Sequence, residues 1–398
     1  MREPQTIADP AIHLLAIDGL RGIAVLMVLA VHTSQRVGNV GLEAFQFPFI
    51  GEFINAGARG VELFFLLSAF TLFRSSKVKY SAESNPRRNF YIRRAFRILP
   101  LWWLLVTLYA VWGGRSLGES LPSYLLYFGF IRYLPDIDVF PLGWTIFVEE
   151  TFYLFLPLIF GFIVSTTRAA VFFAVMLELS VIWRHNASLL GVPATNAFIE
   201  LFPLNHWYCF ALGILLYWVY ANEFVNRHLL QNRYVSWIMD VSAVLILYLT
   251  VRGDRSSACY GLAFFALVAL SEHSLVGRLC RSAFLRYFGV CCYSIYLLHF
   301  LFLDLSDGLK ESIFSLSGLN NGPVEVMFLV WFPTIALLSL ALCLVVFYCI
   351  ENPALILVNG SSRSRKLARL WHHRRWKRRV RRVVVPWHLM IVRITLPA

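Results

Sequence analysis

The sequence predicts an all-α protein that crosses a membrane many times. Of its 398 residues, 58% are hydrophobic and 16% are aromatic. The mean hydropathy of +0.64 is too high for a soluble protein of this length. Apolar runs long enough to cross a bilayer recur along the chain, and the basic residues between them are unevenly distributed. These observations predict a polytopic integral membrane protein with about ten transmembrane helices.

The ten expected spans are the apolar runs of sufficient length. They lie at 14–33, 58–74, 98–113, 141–164, 169–184, 204–221, 235–251, 258–272, 288–305 and 325–349. The apolar segment 120–133 is shorter and contains Arg132, so we expect it to be re-entrant or interfacial. The first apolar run is too long for a signal peptide and contains Asp18 and Arg21, which predicts a retained span.

The distribution of basic residues predicts the orientation. With the N-terminus inside, 27 of the 36 Lys and Arg residues fall in cytoplasmic segments, eight fall in outer segments, and Arg21 lies within a span. Cytoplasmic segments of membrane proteins carry such an excess of Lys and Arg. We therefore expect both termini to be cytoplasmic.

The last part of the chain differs in composition from the rest. We expect a membrane-embedded domain over 1–355 and a basic cytoplasmic tail over 356–398. From Arg363 to Arg382 the tail holds eleven Lys or Arg residues and no acid, with tryptophans interleaved. Because the tail is tethered to a membrane, anionic lipid headgroups are its expected partner, and nucleic acid is not.

The seven cysteines lie in or beside apolar runs and lack the spacing of metal ligands, which is typical of small core residues. The sequence has no phosphate-binding glycine loop, zinc motif or nucleophile elbow. We expect neither a metal nor a permanently bound cofactor.

The first span carries charge. Arg21 and His32 are eleven residues apart, which is three helical turns, so their side chains align on one face about 16 Å apart. Asp18 precedes Arg21 by one turn and can neutralise it. Ionisable residues within spans are costly and usually mark a site. The alternative is a structural Asp18–Arg21 pair at the interface, with His32 only ending the helix.

A second cluster precedes the third span. Arg93, Arg94 and Arg97 lie at helical spacing on the predicted cytoplasmic side, and Arg93 and Arg97 are expected to share a face. The guanidinium group is suited to binding phosphate. The cluster alone is equally compatible with an anchor that holds the helix at the inner interface.

Two further clusters lie within spans. Glu149 and Glu150 interrupt an apolar run, and Tyr153 follows Glu149 by one turn, so it can join a hydrogen-bond network with that acid. Tyr296 and His299, together with Tyr293, recur every three residues on one face of a later span. These groups either line one cavity or connect helices.

Taken in order, the clusters resemble the acyltransferase 3 family. Its members are integral-membrane enzymes that move an acyl group, typically acetyl, onto hydroxyls of glycans and other acceptors. The resemblance is carried by Arg21 with His32, by GVELFFLLSAF from Gly60, FYIRRAFRILP from Phe90 and WTIFVEETFY from Trp144, by YSIYLLH ending at His299, and by IENP with Glu351 and Pro353. The chain is similar to the short form, which lacks a fused extracytoplasmic esterase-like domain.

The resemblance implies a membrane O-acyltransferase in the plasma (inner) membrane. Its implied donor is cytoplasmic acyl-CoA, expected to be acetyl-CoA, and its implied acceptor is a hydroxylated glycan or glycolipid. We expect Arg93, Arg94 and Arg97 to hold the CoA phosphates at the inner face, since the nucleotide end of acyl-CoA is polyanionic.

His32 is the expected general base, which removes the proton of the acceptor hydroxyl. Glu149 would either orient His32 or pair with Arg21, and Arg21 is also placed to face the developing oxyanion. Asp18, Glu150, Tyr153, Tyr296 and His299 are the expected candidates for the substrate cavity. A secondary transporter or flippase for an anionic lipid or sugar is the alternative function, because it also uses buried Arg, Glu and His.

Overall fold

The computed structural model describes residues 10–37, 45–114, 116, 143–186, 189, 197–251, 253, 255–320, 322–351 and 353. Helices dominate these ranges and no strand occurs in them, which confirms the all-α prediction. The predicted re-entrant segment 120–133 and the basic tail 356–398 lie outside the described residues.

The described residues form a series of α-helices. In chain order they are α1 (Pro10–Ser34), α2 (Pro48–Asn55), α3 (Gly60–Ala82), α4 (Pro86–Trp112), α5 (Gly143–Ile159), α6 (Thr166–Asn186), α7 (Ala197–Leu201), α8 (Trp207–Tyr220), α9 (Arg233–Val251), α10 (Arg255–Ala269), α11 (Leu275–Cys280), α12 (Ala283–Val290), α13 (Cys292–Leu305), α14 (Asp307–Leu316) and α15 (Val324–Val346). Short 3₁₀ turns at Ala56–Arg59 and Pro203–Asn205 and π turns at Val225–Leu230 and Phe347–Glu351 connect or extend them.

Several helical runs are long and apolar enough to cross a membrane. They are Leu15–Ser34, Phe49–Tyr80, Pro86–Trp112, Thr166–Asn186, Arg233–Thr250 and Val324–Glu351. Helices α12 and α13 together form a further candidate, bent by 77° at their junction. The chain is therefore a multi-pass membrane protein, as predicted.

The expected number of ten spans is not reached among the described residues. The predicted spans 141–164, 204–221 and 258–272 correspond to α5, α8 and α10, which contain 17, 14 and 15 residues. A straight helix needs about 20 residues to cross the hydrocarbon. Six spans, or seven with the bent pair, satisfy length and composition in the part of the chain that is described.

Contacts between distant helices agree with the predicted alternation of sides. Arg36, just after the predicted outer end of α1, and Asp304, at the predicted outer end of α13, form an ion pair. Ser294 and Glu351, both at predicted inner ends, form a hydrogen bond. Residues expected on the same side of the membrane therefore meet in the fold, while the identity of the cytoplasmic side stays a prediction.

Helix α1 lies at the centre of the bundle because glycines let other backbones approach it. A Cβ added at Gly19 would lie 1.7 Å from the carbonyl oxygen of Cys280, and one at Gly22 would lie 2.0 Å from that of Leu285. In the opposite direction, a Cβ at Gly289 would lie 1.6 Å from the carbonyl oxygen of Asp18. Small residues allow such close packing between membrane helices. The contact fixes the charged part of α1 against α12.

Replacing Gly289 with valine should strongly destabilise the protein. Because the added Cβ would meet backbone rather than a movable side chain, α1 and α12 would have to separate, at a cost of at least about 3 kcal/mol. Thermal unfolding of the purified protein in detergent measures the effect. Gly308→Ala is the control, since nothing lies within 4 Å of a Cβ there, and equal stability of both variants would contradict the proposed packing.

The peripheral helices expose apolar side chains. On α9, Ile238 is 68% exposed and Val241 is 72% exposed. Helix α6 is likewise mostly exposed, whereas α1 is mostly buried. Such apolar faces are expected where helices contact lipid. The polar side chains discussed below are instead gathered in the interior around α1.

Candidate active site

A cavity of about 340 Å³ lies between α1, α3, α4, α5 and α13. Its wall near the predicted cytoplasmic ends of these helices is charged. Its wall toward the predicted outer ends is apolar or aromatic. The charged group is Asp18, Arg21, Lys79, Arg94, Arg97 and Glu149, and the apolar and aromatic group includes Val61, Phe64, Phe65, Ile146 and Tyr296. The cavity is therefore polar at one end and apolar at the other.

Arg21 is fixed from two sides within this wall. Its Nη2 donates to Thr71 Oγ1 at 2.8 Å, and its Nη1 lies 3.7 Å from Asp18 Oδ1. The one-turn spacing of Asp18 and Arg21 thus forms the expected ion pair, and both side chains line the cavity. Thr71, one turn beyond Ser68 on α3, was not among the predicted site residues.

Glu149 lies on the same wall and is bonded to Tyr153, as their one-turn spacing predicts, but its other partner differs from those expected. Its Oε1 accepts a hydrogen bond from Ser68 Oγ at 2.7 Å and another from Tyr153 Oη. Ser68 and Tyr153 also hydrogen-bond to each other. Among the described residues, Glu149 makes no hydrogen bond or ion pair with His32 or Arg21, so neither predicted pairing is present. Two hydroxyl groups satisfy this acid instead.

The three arginines of α4 separate into two groups. Arg94 and Arg97, three residues apart, both line the cavity. Arg94 packs its guanidinium over the ring of Tyr153, with Cζ 5.5 Å from the ring centroid. Its Nε is buried and makes no hydrogen bond within the described part of the chain. Buried donors normally have partners, so this nitrogen is an exception among the described residues.

Arg93 has turned away from the cavity. Its Nη1 donates to both carboxylate oxygens of Glu83, at 2.8 and 3.0 Å. Burial alone would raise the pKa of Glu83, but hydrogen bonds from Arg93 and Asn89 hold it below its usual value. Glu83 is therefore ionised at neutral pH and keeps Arg93 engaged. Arg97 therefore lines the cavity with Arg94 and not with Arg93, the residue expected to share its face.

Tyr296 and His299 lie between the cavity and His32. Tyr296 lines the cavity, donates from Oη to Thr145 Oγ1 at 2.9 Å, and lies against the ring of Phe64. The ring centroid of His299 is 5.9 Å from that of Tyr296 and 5.1 Å from that of His32. A continuous row of rings therefore leads from the cavity to His32.

His32 itself is half-buried at the end of α1 and is not part of the cavity wall. Its Nδ1 lies 3.1 Å from Gln35 Oε1, and its ring packs against Phe300. His299 is only 1% exposed, and its Nδ1 donates to the carbonyl oxygen of Tyr296 at 2.6 Å. Tyr296 thus separates the predicted base from the cavity.

The remaining candidates are placed as follows. Glu150 is buried, at 6% exposure, but does not line the cavity. Tyr293 does line it and donates from Oη to the carbonyl oxygen of Ile98. The seven cysteines all lie in the described ranges and form no disulfide there. Within the described ranges, no group of three or more His, Cys, Asp or Glu residues is arranged to hold a metal ion.

Comparison with known proteins gives two matches. The family model described as "Acyltransferase domain" matches residues 14–348. The protein named "Putative peptidoglycan O-acetyltransferase YrhL", from Bacillus subtilis (strain 168), is 24% identical over 332 residues, which are 75% of this chain and 50% of that protein. The chain thus spans about half the length of this curated relative. No solved structure matches the chain.

Proposed function

Because the chain belongs to the acyltransferase 3 family, with the match covering residues 14–348, we propose that it is a membrane O-acyltransferase whose donor is cytoplasmic acyl-CoA. We expect the acyl group to be acetyl. The proposed acceptor is a hydroxyl of an extracytoplasmic or membrane-associated glycan, and similarity to a protein named as a peptidoglycan O-acetyltransferase supports that class. The proposed location is the plasma (inner) membrane.

The observation that carries this proposal is the alignment of a cationic cavity with a histidine at the opposite end of α1. The cavity is cationic at the end predicted to face the cytoplasm, where acyl-CoA is made. His32 lies near the predicted outer end, where an extracytoplasmic acceptor arrives. A donor with a long flexible arm suits this distance, and its arm must pass the rings of Tyr296 and His299 to bring the thioester to His32.

Arg94 and Arg97, assisted by Lys79, are the proposed ligands of the CoA phosphates. All three line the cavity. Arginine binds phosphate through several donors in fixed geometry, whereas lysine contributes a point charge. Arg93 is left out of this set because Glu83 holds it outside the cavity wall.

The proposed chemical step is direct transfer. His32 takes the proton of the acceptor hydroxyl while the hydroxyl oxygen attacks the thioester carbonyl carbon. The new carbon–oxygen bond forms, the carbon–sulfur bond breaks, and the proton held by His32 passes to the CoA thiolate. The products are the acyl ester and CoA, and no acyl-enzyme is required.

Arg21 and Glu149 need different roles from those first expected. Three helical turns separate Arg21 from His32, about 16 Å, so both cannot contact one reacting carbonyl group. We propose that Arg21 holds the α3 wall in place through Thr71. Glu149, bonded to Ser68 and Tyr153, keeps the ring of Tyr153 under the guanidinium of Arg94.

The direct test is an assay of the purified protein in lipid nanodiscs with radiolabelled acetyl-CoA and a soluble peptidoglycan fragment. We expect free CoA to be released in step with label appearing on the glycan, as an ester that mild alkali removes. Retention of all label on CoA, with solute crossing the membrane of proteoliposomes, would instead favour the transporter.

A further inference from the structure

The setting of His32 differs from that of most histidine bases because its partner is an amide. His32 Nδ1 lies 3.1 Å from Gln35 Oε1, one turn further along the chain. Among the described residues, no carboxylate oxygen lies within 4.0 Å of a ring nitrogen of His32. The side chain that orients the ring is therefore neutral.

This contact bears on which ring nitrogen carries the proton. The structure turns the amide oxygen of Gln35 toward Nδ1. An amide oxygen only accepts a hydrogen bond, so in this arrangement Nδ1 donates one. A neutral imidazole with its proton on Nδ1 has a free electron pair on Nε2. We propose that Gln35 is a positioning residue that holds His32 in this tautomer and thereby leaves Nε2 as the base. The inference rests on the proposed function, in which His32 receives the proton of the acceptor.

The surroundings keep the ring in place for this contact. On α13, the ring of His299 stacks against His32 with centroids 5.1 Å apart and planes 30° apart, and Phe300 packs at 4.5 Å. His299 is fixed in turn by its hydrogen bond to the carbonyl oxygen of Tyr296. The ring of His32 is thus supported by aromatic faces while Gln35 contacts one nitrogen.

Ion pairs fix the end of α1 that carries Gln35. Arg36, the next residue, pairs with Asp304 and lies 3.8 Å from Asp307. Lys310 Nζ donates to the carbonyl oxygen of Arg36 at 3.0 Å and to Asp307 at 2.8 Å. The titratable and charged groups that face His32 are Arg36 on its own chain segment and His299 on α13. Asp304, Asp307 and Lys310 surround Arg36.

Three variants separate positioning from a structural role. Gln35→Leu removes the hydrogen-bond acceptor at similar size, and we expect kcat to fall about tenfold, the worth of one ordinary hydrogen bond, with the donor KM unchanged. Gln35→Glu still accepts the bond and should restore kcat near neutral pH. Its added charge favours the protonated ring, so the acid limb of the pH–rate profile should move to higher pH. The control is Gln231→Leu, which replaces an exposed glutamine on another part of the chain and should leave kcat at its native value.

The outcomes are distinguishable. Native kcat in Gln35→Leu at every pH, or equal loss in Gln35→Leu and Gln35→Glu with an unchanged profile, would overturn the role of Gln35. Native activity in His32→Ala would instead overturn the proposed function on which the inference rests.

A spectroscopic measurement tests the tautomer without relying on turnover. Solid-state NMR of protein labelled with ¹⁵N-histidine distinguishes the two neutral tautomers, and the difference spectrum against His32→Asn assigns the signal of His32. We expect Nδ1 to carry the proton in the native protein and both tautomers to be populated in Gln35→Leu. An identical His32 signal in the two proteins would contradict the inference even if both were inactive.

Discussion

Replacing His32 with alanine should lower kcat for acyl transfer by about 10²- to 10⁴-fold, the usual contribution of a general base. The variant loses the group that removes the proton of the acceptor hydroxyl, while the donor cavity stays intact because His32 is not part of its wall. The donor KM should therefore stay near its native value. Rates of CoA release and of ester formation, measured over a range of acetyl-CoA concentrations, give both quantities.

A matched control separates chemistry from folding. His185 is an exposed histidine near the end of α6 whose Nδ1 bonds to the carbonyl oxygen of Val181 one turn earlier, so His185→Ala should behave as the native protein. His32→Asn keeps a polar side chain against His299 and Phe300 but supplies no base, and it should be as inactive as alanine. If either His32 variant turned over at the native rate while thermal unfolding was unchanged, His32 would have no part in the chemistry.

The fold class could be predicted because the hydropathy of a short segment is enough to indicate a membrane helix. Each of the ten expected segments coincides with a helix or with the bent pair α12 and α13. Their lengths were harder to predict. The expected span 288–305 begins within α12, but the structure bends by 77° at Cys291. The bend lets Gly289 meet the backbone of α1, a long-range contact that local pattern does not reveal.

Within the site, residue spacing predicted which side chains on the same helix meet. It did not predict their partners on other helices. Asp18 and Arg21 pair as one helical turn predicts. Glu149 is different, because Ser68 lies 81 residues away in sequence. The available signal was the pair of hydroxyls at Ser68 and Thr71, one turn apart within the apolar run of α3.

The arginine cluster shows how tertiary contacts select among equivalent faces. Spacings of three and of four residues both bring side chains to one side of a helix. Arg97 therefore shares a side with Arg93 and also with Arg94. Glu83, at the connection between α3 and α4, pairs with Arg93 and leaves Arg94 to the cavity. An acid ten residues earlier thus decides which arginines line the site.

Because Arg94 and Arg97 line the cavity and Arg93 does not, replacing either of the first two should weaken donor binding more than replacing Arg93. Arg94→Ala and Arg97→Ala should each raise the KM for acetyl-CoA about 10- to 100-fold, since one hydrogen bond to a charged group contributes about 1.5–3 kcal/mol. The value of kcat should change little, because the arginines bind the phosphates equally strongly in the ground state and in the transition state. Arg93→Ala provides the control on the same helix, since it removes an arginine that pairs with Glu83 outside the cavity wall.

A truncated donor identifies what the arginines bind. S-acetylpantetheine carries the same thioester but lacks the nucleotide phosphates, so the native enzyme should prefer acetyl-CoA strongly. In Arg94→Ala and Arg97→Ala that preference should shrink by the same factor as the KM rises, whereas Arg93→Ala should retain it. The preference of Arg94→Lys should lie between those of the native enzyme and Arg94→Ala, because lysine keeps the charge and loses the planar set of donors. Undiminished preference in both cavity variants, or an equal loss in Arg93→Ala, would show that the phosphates bind elsewhere and that these guanidinium groups serve only to hold the helices together.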